Sequence, residues 1–300
     1  MHISVVIPTY RREQVLLNTV QMLGALSTPP EEIIIVDQTE QHRPEISQAL
    51  GALDRAGVIR WVRMATPSIP RAMNRGLLIA RGDAVLFLDD DIVPHEELAA
   101  VHRRVHEEPL VRVVAGRVLQ PWDNDDAPQR DEGTFRFNST TRQVVDDFMG
   151  GNFSINRRIA LELGGFDENF VQVAHWFERD FADRLKARNI PILFEPDACI
   201  RHLKVERGGT REFGSHLKTM RPGHAVGCYY YLFRSPVIKH RCQALLQRPF
   251  RAVSTKYHLQ NPWRIPPTLI AETLAFWWAL FLALKGPRLL SQAASEDIRP

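Results

Sequence analysis

Ala84-Val85-Leu86-Phe87-Leu88-Asp89-Asp90-Asp91-Ile92-Val93-Pro94 is the stretch on which the fold turns. An apolar run without polar alternation suits a strand buried on both faces, the usual condition in a parallel sheet covered by helices. Three carboxylates follow at once, and apolar residues resume behind them. A solvated acidic turn needs neither flank, so the trio reads as the polar mouth of a buried strand. In open parallel sheets ligands bind outside the carboxyl ends of the strands, which places Asp89, Asp90 and Asp91 at a site.

The same grammar repeats upstream. Ile3 to Ile7 is a buried run closed by Pro8, and from Arg12 to Leu26 apolar residues recur at helical spacing. Glu32 to Val36 and Val58 to Val62 read as strands, Arg71 to Ala80 as a helix. This alternation predicts βαβ units and an α/β fold with a Rossmann-like, mostly parallel central sheet flanked by helices. Pro8-Thr9-Tyr10 and Asp37-Gln38 then fall at strand ends on the same edge as the Asp trio. Downstream come a helix over Pro94 to Glu107, a strand over Val111 to Leu119 and a polar surface loop from Gln120 to Arg142. Order resumes at Phe148, with helices over Arg157 to Leu163 and Glu178 to Arg188 and a short strand over Pro191 to Glu195.

Apolar residues at 44% and charged residues at 24% exclude wholesale disorder. The net charge of +3 conceals an asymmetry: 16 Lys/Arg and 5 Asp/Glu from Arg201 onward, against 22 and 30 before it. An acidic front suits metal and nucleotide chemistry; a basic rear suits phosphate or an anionic membrane surface. No nucleic-acid partner is expected. Cys199, Cys228 and Cys242 lack metal-ligand spacing and read as reduced, buried thiols of a cytoplasmic protein. His2 leads straight into the Ile3 run, so no secretory leader is expected, and the catalytic face belongs in the cytoplasm.

Taken in order, several segments resemble the family 2 glycosyltransferases with the GT-A fold. They are Val5-Val6-Ile7-Pro8-Thr9-Tyr10, Ile35-Val36-Asp37, Ala72-Met73-Asn74-Arg75-Gly76 with Ala80-Arg81-Gly82-Asp83, and Phe87-Leu88-Asp89-Asp90-Asp91 as a D-x-D element. Gly151-Asn152-Phe153-Ser154-Ile155 with Gly164-Gly165-Phe166-Asp167-Glu168 is similar to the acceptor-side segment, so the likeness runs from Met1 to about Arg211. It implies a nucleotide-diphosphate sugar donor and a divalent cation, Mn²⁺ or Mg²⁺, held by oxygen ligands against the diphosphate.

By that resemblance Asp91 is the metal ligand, Asp89 the sugar or ribose contact and Asp90 a further donor-site residue. Asp37 meets the base or ribose, with Pro8, Thr9, Tyr10, Arg71 and Asn74 near the nucleotide. Gln38-Thr39-Glu40 departs from the usual second Asp and Gly-Ser, which leaves the base open. Gly151, Asn152 and Trp176 fall on the acceptor side. In Trp176-Phe177-Glu178-Arg179-Asp180, Glu178 stands where relatives carry the catalytic Asp and is the expected general base, with Asp180 as the fallback. His202, after Ala198-Cys199-Ile200, is the expected second metal ligand. Arg207 and Arg211, beside the hinge-like Gly208-Gly209, are expected to close over the diphosphate.

A lone carboxylate base favours one in-line displacement with inversion. Gln260-Asn261-Pro262-Trp263-Arg264 departs from the Q-x-x-R-W of processive relatives, so one sugar is added at a time. The expected division is a catalytic domain over 1–225 (about 1–110 for the nucleotide sugar, 111–225 for the acceptor) and a basic, aromatic helical extension over 226–300. Within it Thr268 to Leu284 is nearly all apolar, with Glu272 the one charge. That run is short for a span and reads as an interfacial helix on the inner membrane face, or as one packed on the core or in a dimer. Surface attachment would suit a lipid-linked or envelope-polysaccharide acceptor. The rivals are a nucleotide-sugar binder without turnover, a sugar-nucleotide pyrophosphorylase lacking its glycine loop, and an Asp-nucleophile phosphatase lacking its partners.

Overall fold

A computed structural model describes residues 1–123, 135–214, 217 and 220–290, with the Arg211 side chain outside the described set. The expected loop over 120–142 is therefore described only at its ends. β1 (Ile3–Thr9), α1 (Gln14–Gly24), β2 (Glu32–Asp37), α2 (Pro44–Arg55), β3 (Arg60–Arg63), α3 (Ile69–Ile79) and β4 (Ala84–Leu88) alternate as the apolar runs predict. Their four strands lie parallel in the order β3-β2-β1-β4. Helix α2 escapes the sequence pattern because it buries only Ile46 and Leu50.

Burial on both faces is literal. Val6, Val85 and Phe87 join one core cluster with residues of α3, while Val5, Ile7, Leu86 and Leu88 join a second with residues of α1 and α2. Alternate strand residues thus feed opposite helical layers, which fixes the register of the strand ends.

The rest of the sheet is built differently. β5 (Ile92–Pro94), α4 (Leu98–His106), β6 (Val113–Leu119), β7 (Gln143–Val145), β8 (Asn152–Asn156), α5 (Arg157–Glu162), α6 (Phe177–Ala187) and β9 (Ile192–His202) follow. β8 runs antiparallel between β4 and β6, β6 is parallel to β9, and β5 and β7 are antiparallel to β9. The sheet is therefore mixed, its continuous parallel block confined to the front four strands.

β9 is much longer than the expected Pro191 to Glu195. Its register against β6 slips between Gly116↔Glu195 and Arg117↔Cys199, at Pro196, which has no N–H to give the ladder. Beyond the bulge the strand continues to His202, opposite Ile92 of β5. The buried Asn152 amide stitches this irregularity, donating to Arg117 O at 3.0 Å and Ala198 O at 2.8 Å, while its Oδ1 meets His102 Nε2 at 3.1 Å. Asn152, expected on the acceptor side, has its side-chain polar atoms engaged inside the sheet.

α7 (Gly223–Arg234), α8 (Arg241–Val253), α9 (Lys256–Gln260) and α10 (Ile265–Lys285) complete the chain. Tyr229, Tyr230 and Tyr231 of α7 lie in the same cluster as Phe153 and Phe166. The expected boundary at residue 225 thus falls inside a core helix. Cys228 is buried as expected; Cys242, on a helix that buries nothing fully, is exposed.

Asn152→Ala removes a donor from two carbonyls and the partner of His102 Nε2. The expected loss is about 2–4 kcal/mol of unfolding free energy, read by urea denaturation. A loss within about 0.5 kcal/mol, the range of a surface change, would contradict this role.

Candidate active site

The ends of β1, β2 and β4 open into a cleft of about 160 Å³ lined by Pro8, Thr9, Tyr10, Arg12, Gln38, Ser68, Ile69, Asp89, Asp90, Asp91, His202 and Phe213, among others. The three carboxylates diverge.

Asp90 turns inward, accepting from Thr9 Oγ1 at 2.7 Å and Arg12 Nε at 3.1 Å. Burial pushes its carboxyl up to about 7, against the opposing pull of Arg12 and Thr9. Both its oxygens have protein partners, so its place is beneath the site. Asp91 turns sideways. Its Oδ2 accepts from Arg12 Nη2 at 3.2 Å and Val205 N at 2.9 Å, and its Oδ1 from His202 Nε2 at 3.1 Å. Burial acts to raise its carboxyl, but His202 and Arg12 outweigh it and hold the group below its ordinary range. Asp89 turns outward, its side chain 44% exposed against 2% for Asp91, with Oδ2 3.8 Å from His202 Nε2.

Asp89, Asp91 and His202 offer ligand atoms all within 4.8 Å of one another, a spacing that one cation about 2.0–2.6 Å from each atom can bridge. Two carboxylate oxygens and an imidazole nitrogen form a donor set suited to Mn²⁺ or Mg²⁺. The trio fits a divalent cation, and Asp89 offers a ligand atom beside those of Asp91 and His202, the two expected from the sequence.

Arg12 escaped the sequence reading. Its buried guanidinium spans Asp90 and Asp91 and donates to the carbonyls of Val205 and Arg207. The Gly208-Gly209 step lies flat on the same loop: Gly209 N donates to Tyr10 O at 2.8 Å, and a Cβ on Gly208 would stand 2.6 Å from Arg11 O. The backbone at Arg207 is therefore an anchor, and its exposed side chain does not line the cleft. Arg211 lies outside the described side chains.

Three other expected donor contacts point elsewhere. Asp37 is wholly buried, its Oδ2 taken by His42 Nε2 at 2.7 Å and Trp61 Nε1 at 2.8 Å, its Oδ1 by Thr39 N at 2.8 Å. Gln38 lines the cleft instead, donating to Thr9 O and accepting from Ser68 N. Asn74 exchanges hydrogen bonds with the Phe166 backbone, and Arg71 lies 3.7 Å from Glu168. Both serve to hold α3 against the 164–168 loop.

Across from the trio, Met149 to Asn152 form a tight turn with Gly150 and Gly151 at its centre, closed by Asn152 N to Met149 O at 3.1 Å. A Cβ on Gly151 would lie 2.2 Å from Asp89 Oδ2, and one on Gly150 would lie 2.9 Å from Glu178 Oε1. Each glycine thus seats one carboxylate. Glu178, in the first turn of α6, also accepts from Gly150 N at 3.1 Å. Burial pushes its carboxyl up to about 7, opposed by that N–H and reinforced by the Asp147 and Asp89 charges.

Glu178 faces a second pocket, lined by Met149, Trp176, Arg179, Tyr231, Ile238 and Ala244, among others. Trp176 stands edge-on to Tyr231 with ring centroids 5.0 Å apart. Gln172, Ala174 and Trp176 all have φ between 54° and 71°, a cluster of left-handed backbone that non-glycine residues adopt at a cost of order 1 kcal/mol each. Asp180, the fallback base, is buried and paired with Arg184 at 2.9 Å. Arg184 in turn donates to the Leu163 and Gly165 carbonyls, so Asp180 braces α6 and does not face the pocket.

A mixed α/β sheet with a carboxylate-rich cleft at its parallel strand ends and a separate carboxylate across a glycine turn defines a class, the GT-A glycosyltransferases. The family model for glycosyl transferase family 2 matches residues 4–164, and the chain belongs to that family. Over 183 residues it is 26% identical to the glucosyl-dolichyl phosphate glucuronosyltransferase of Haloferax volcanii, a match spanning 56% of this chain and 57% of that protein. Among solved structures, a mannosyltransferase from Pyrobaculum calidifontis in complex with GDP-Man and Mn²⁺ superposes with a TM-score of 0.54 at 17% identity, covering 95% of this chain and 79% of that one. GalNAc-T7 with UDP, GalNAc and Mn²⁺ superposes with a TM-score of 0.61 at 15% identity, covering 85% and 52%.

Arg12→Ala strands a buried carboxylate pair. The expected cost is about 3–5 kcal/mol in urea denaturation; a loss under about 1 kcal/mol would mark the pair as screened like a surface bridge.

Proposed function

We propose that the protein transfers one sugar from a nucleotide-diphosphate sugar to a hydroxyl of a glycan or lipid-linked acceptor, with inversion. The observation that carries this is the Gly150-Gly151 turn, which seats Asp89 on one side and Glu178 on the other. The donor then occupies the cleft of Thr9, Tyr10 and Gln38, where Tyr10 and Phe213 offer aromatic faces to a base. Asp89, Asp91 and His202 would hold a divalent cation, which when bound supplies positive charge against the departing diphosphate. Two solved relatives in fold were crystallised with a guanine or uracil nucleotide and Mn²⁺, which supports this reading of the cleft.

Glu178 accepts the proton of the acceptor hydroxyl as that oxygen bonds to the anomeric carbon, and the bond from carbon to phosphate oxygen breaks to release the nucleoside diphosphate. In this reading the carboxylates lining the donor cleft among the described residues, Asp89, Asp90 and Asp91, are committed to the cation and to Arg12, which favours a single displacement. The acceptor sugar lies in the pocket over Glu178, against Trp176 and Tyr231. One relative acts, by its name, on a glucosyl-dolichyl phosphate; with the basic C-terminal helices this supports work at the cytoplasmic face of a membrane, on an envelope glycan or its lipid-linked precursor. In this reading residues 1–225 do the chemistry and 226–300 form the extension.

Glu178→Gln is expected to lower kcat by about 10²–10⁴-fold while the donor still raises the melting temperature. Transfer at full rate in that variant would remove Glu178 from the mechanism. A base must be ionised to act, and the Glu178 carboxyl is raised to about 7. The wild-type rate should therefore fall as pH drops below that value, a limb absent from the residual activity of the Gln variant. Asp91→Asn and His202→Ala should each abolish the Mn²⁺-dependent part of donor binding in calorimetry. Unchanged Mn²⁺ dependence in both would refute the trio as the metal site.

A further inference from the structure

The helical layer over the acceptor pocket has an outer face with nothing packed on it among the described residues. On α10 the buried side is small and local: Ala271, Ala275 and Ala279 lie against the body of the protein, and Phe276 meets Tyr229 and Phe233 of α7. Glu272, the charge that makes this helix a poor lone span, points the same way and pairs with Arg248 of α8 at 3.4 Å. The opposite side carries Ile270, Leu274, Trp277, Phe281 and Leu284, all exposed. Their spacing of four, three, four and three residues makes one continuous stripe.

The stripe does not stand alone. Leu246 and Phe250, one turn apart on α8, are also exposed, as are Trp263 at 66% and Trp277 at 61%, two of the three indoles of this layer. Between Arg234 and Arg288 the chain has nine Lys/Arg and one acidic residue, the inward-facing Glu272. Lys285 Nζ lies over the Phe281 ring at 4.2 Å, which sets a cation against the end of the stripe.

We propose that this face docks on an anionic lipid bilayer, with α10 lying in the plane of the surface. Pro262–Lys285 is long and apolar enough to cross a membrane, but α10 is fastened along its length to α7 and through Glu272 to α8. A helix clamped on one side presents its free side to a surface parallel to itself. Charge selects the occupant: two copies meeting through this face would bring like-charged layers together, whereas acidic head groups complement them. Exposed Trp beside Lys and Arg is the composition of an interfacial helix. α8 also contributes Ala244 to the pocket over Glu178, so a docked bilayer borders that pocket. This last step, a membrane-borne acceptor, rests on the reading of Glu178 as the base; the docking itself does not.

The test is flotation of the full chain with vesicles of phosphatidylcholine alone or mixed with phosphatidylglycerol. Binding is expected to the mixed vesicles and to weaken with salt. Trp277→Ser with Phe281→Ser should reduce it at least about 10-fold, and Arg251→Glu with Lys256→Glu should do the same on mixed vesicles only. Circular dichroism and melting temperature keep misfolding apart from lost docking, and the two variants touch different residues. Glu178→Gln should bind like wild type, so failure of docking and failure of the catalytic reading are separable. Equal binding to both vesicle types, or resistance to an alkaline wash, would overturn the proposal. So would a dimer in light scattering that the Trp277 and Phe281 changes dissolve while vesicle binding is absent.

Discussion

A buried guanidinium makes the rest of the site possible. Three successive carboxylates at one strand end would repel one another in a medium of low polarity, and burial favours their protonated forms. Arg12 meets this by bonding Asp90 and Asp91 at once. Even so, Asp90 is pushed up to about 7, whereas Asp91, which also has His202 and the Val205 N–H, stays below its ordinary range. The outcome is a division: one carboxylate under the floor, one fixed in the wall, one extended into the cleft. The same guanidinium donates to two carbonyls of the loop behind β9. Fixing the charge and fixing the loop after His202 are therefore one act, and loss of Arg12 would loosen both.

The Gly150-Gly151 turn has a comparable economy. Any side chain at either position would occupy the space of a carboxylate. The turn lies between the donor cleft and the pocket over Glu178, so it separates two acids that need different states. Asp89 is 44% exposed, whereas Glu178 is tucked behind the turn and raised to about 7. In the proposed reaction, a carboxylate of that strength takes a proton near neutrality and surrenders it afterwards. The left-handed backbone at Gln172, Ala174 and Trp176 leads straight into the helix that carries Glu178, which places local strain where position matters most.

Much of this architecture was legible in the residues. Long apolar runs and helical spacing disclosed the front strands and the edge on which the polar residues gather, because burial on both faces leaves a plain mark. Short strands such as β5 and β7 leave none, and β9 looked short because Pro196 interrupts it. For the site, a sequence reveals polar residues at strand ends but not which neighbours will satisfy them. Asp37 seemed free to meet a nucleotide until His42 and Trp61 folded onto it. Asn152 and Asn74 sit in the right segments, yet their side chains are engaged by neighbouring backbone and, for Asn152, by His102. Arg12 is one of 38 Lys/Arg, and nothing in its neighbours marks it as the buried one.

The family match ends at residue 164, while Glu178 and His202 lie beyond it. What joins them to the matched half is local geometry. β5, three residues long, pairs antiparallel with β9 and sets His202 opposite Ile92, next to Asp91. That alignment depends on the bulge at Pro196, because a continuous ladder from Gly116↔Glu195 onward would have shifted every later partner. Glu178 reaches the site by the Gly150 N–H at the opposite end of β8 from its Asn156 turn. The donor half and the residues that complete the chemistry are thus tied together by two short-range devices, a bulge stitched by Asn152 and a turn built of two glycines. Asn152 and Gly151 are adjacent in sequence, so one three-residue segment, Gly150 to Asn152, positions Glu178, makes room for Asp89 and holds the bulge that delivers His202.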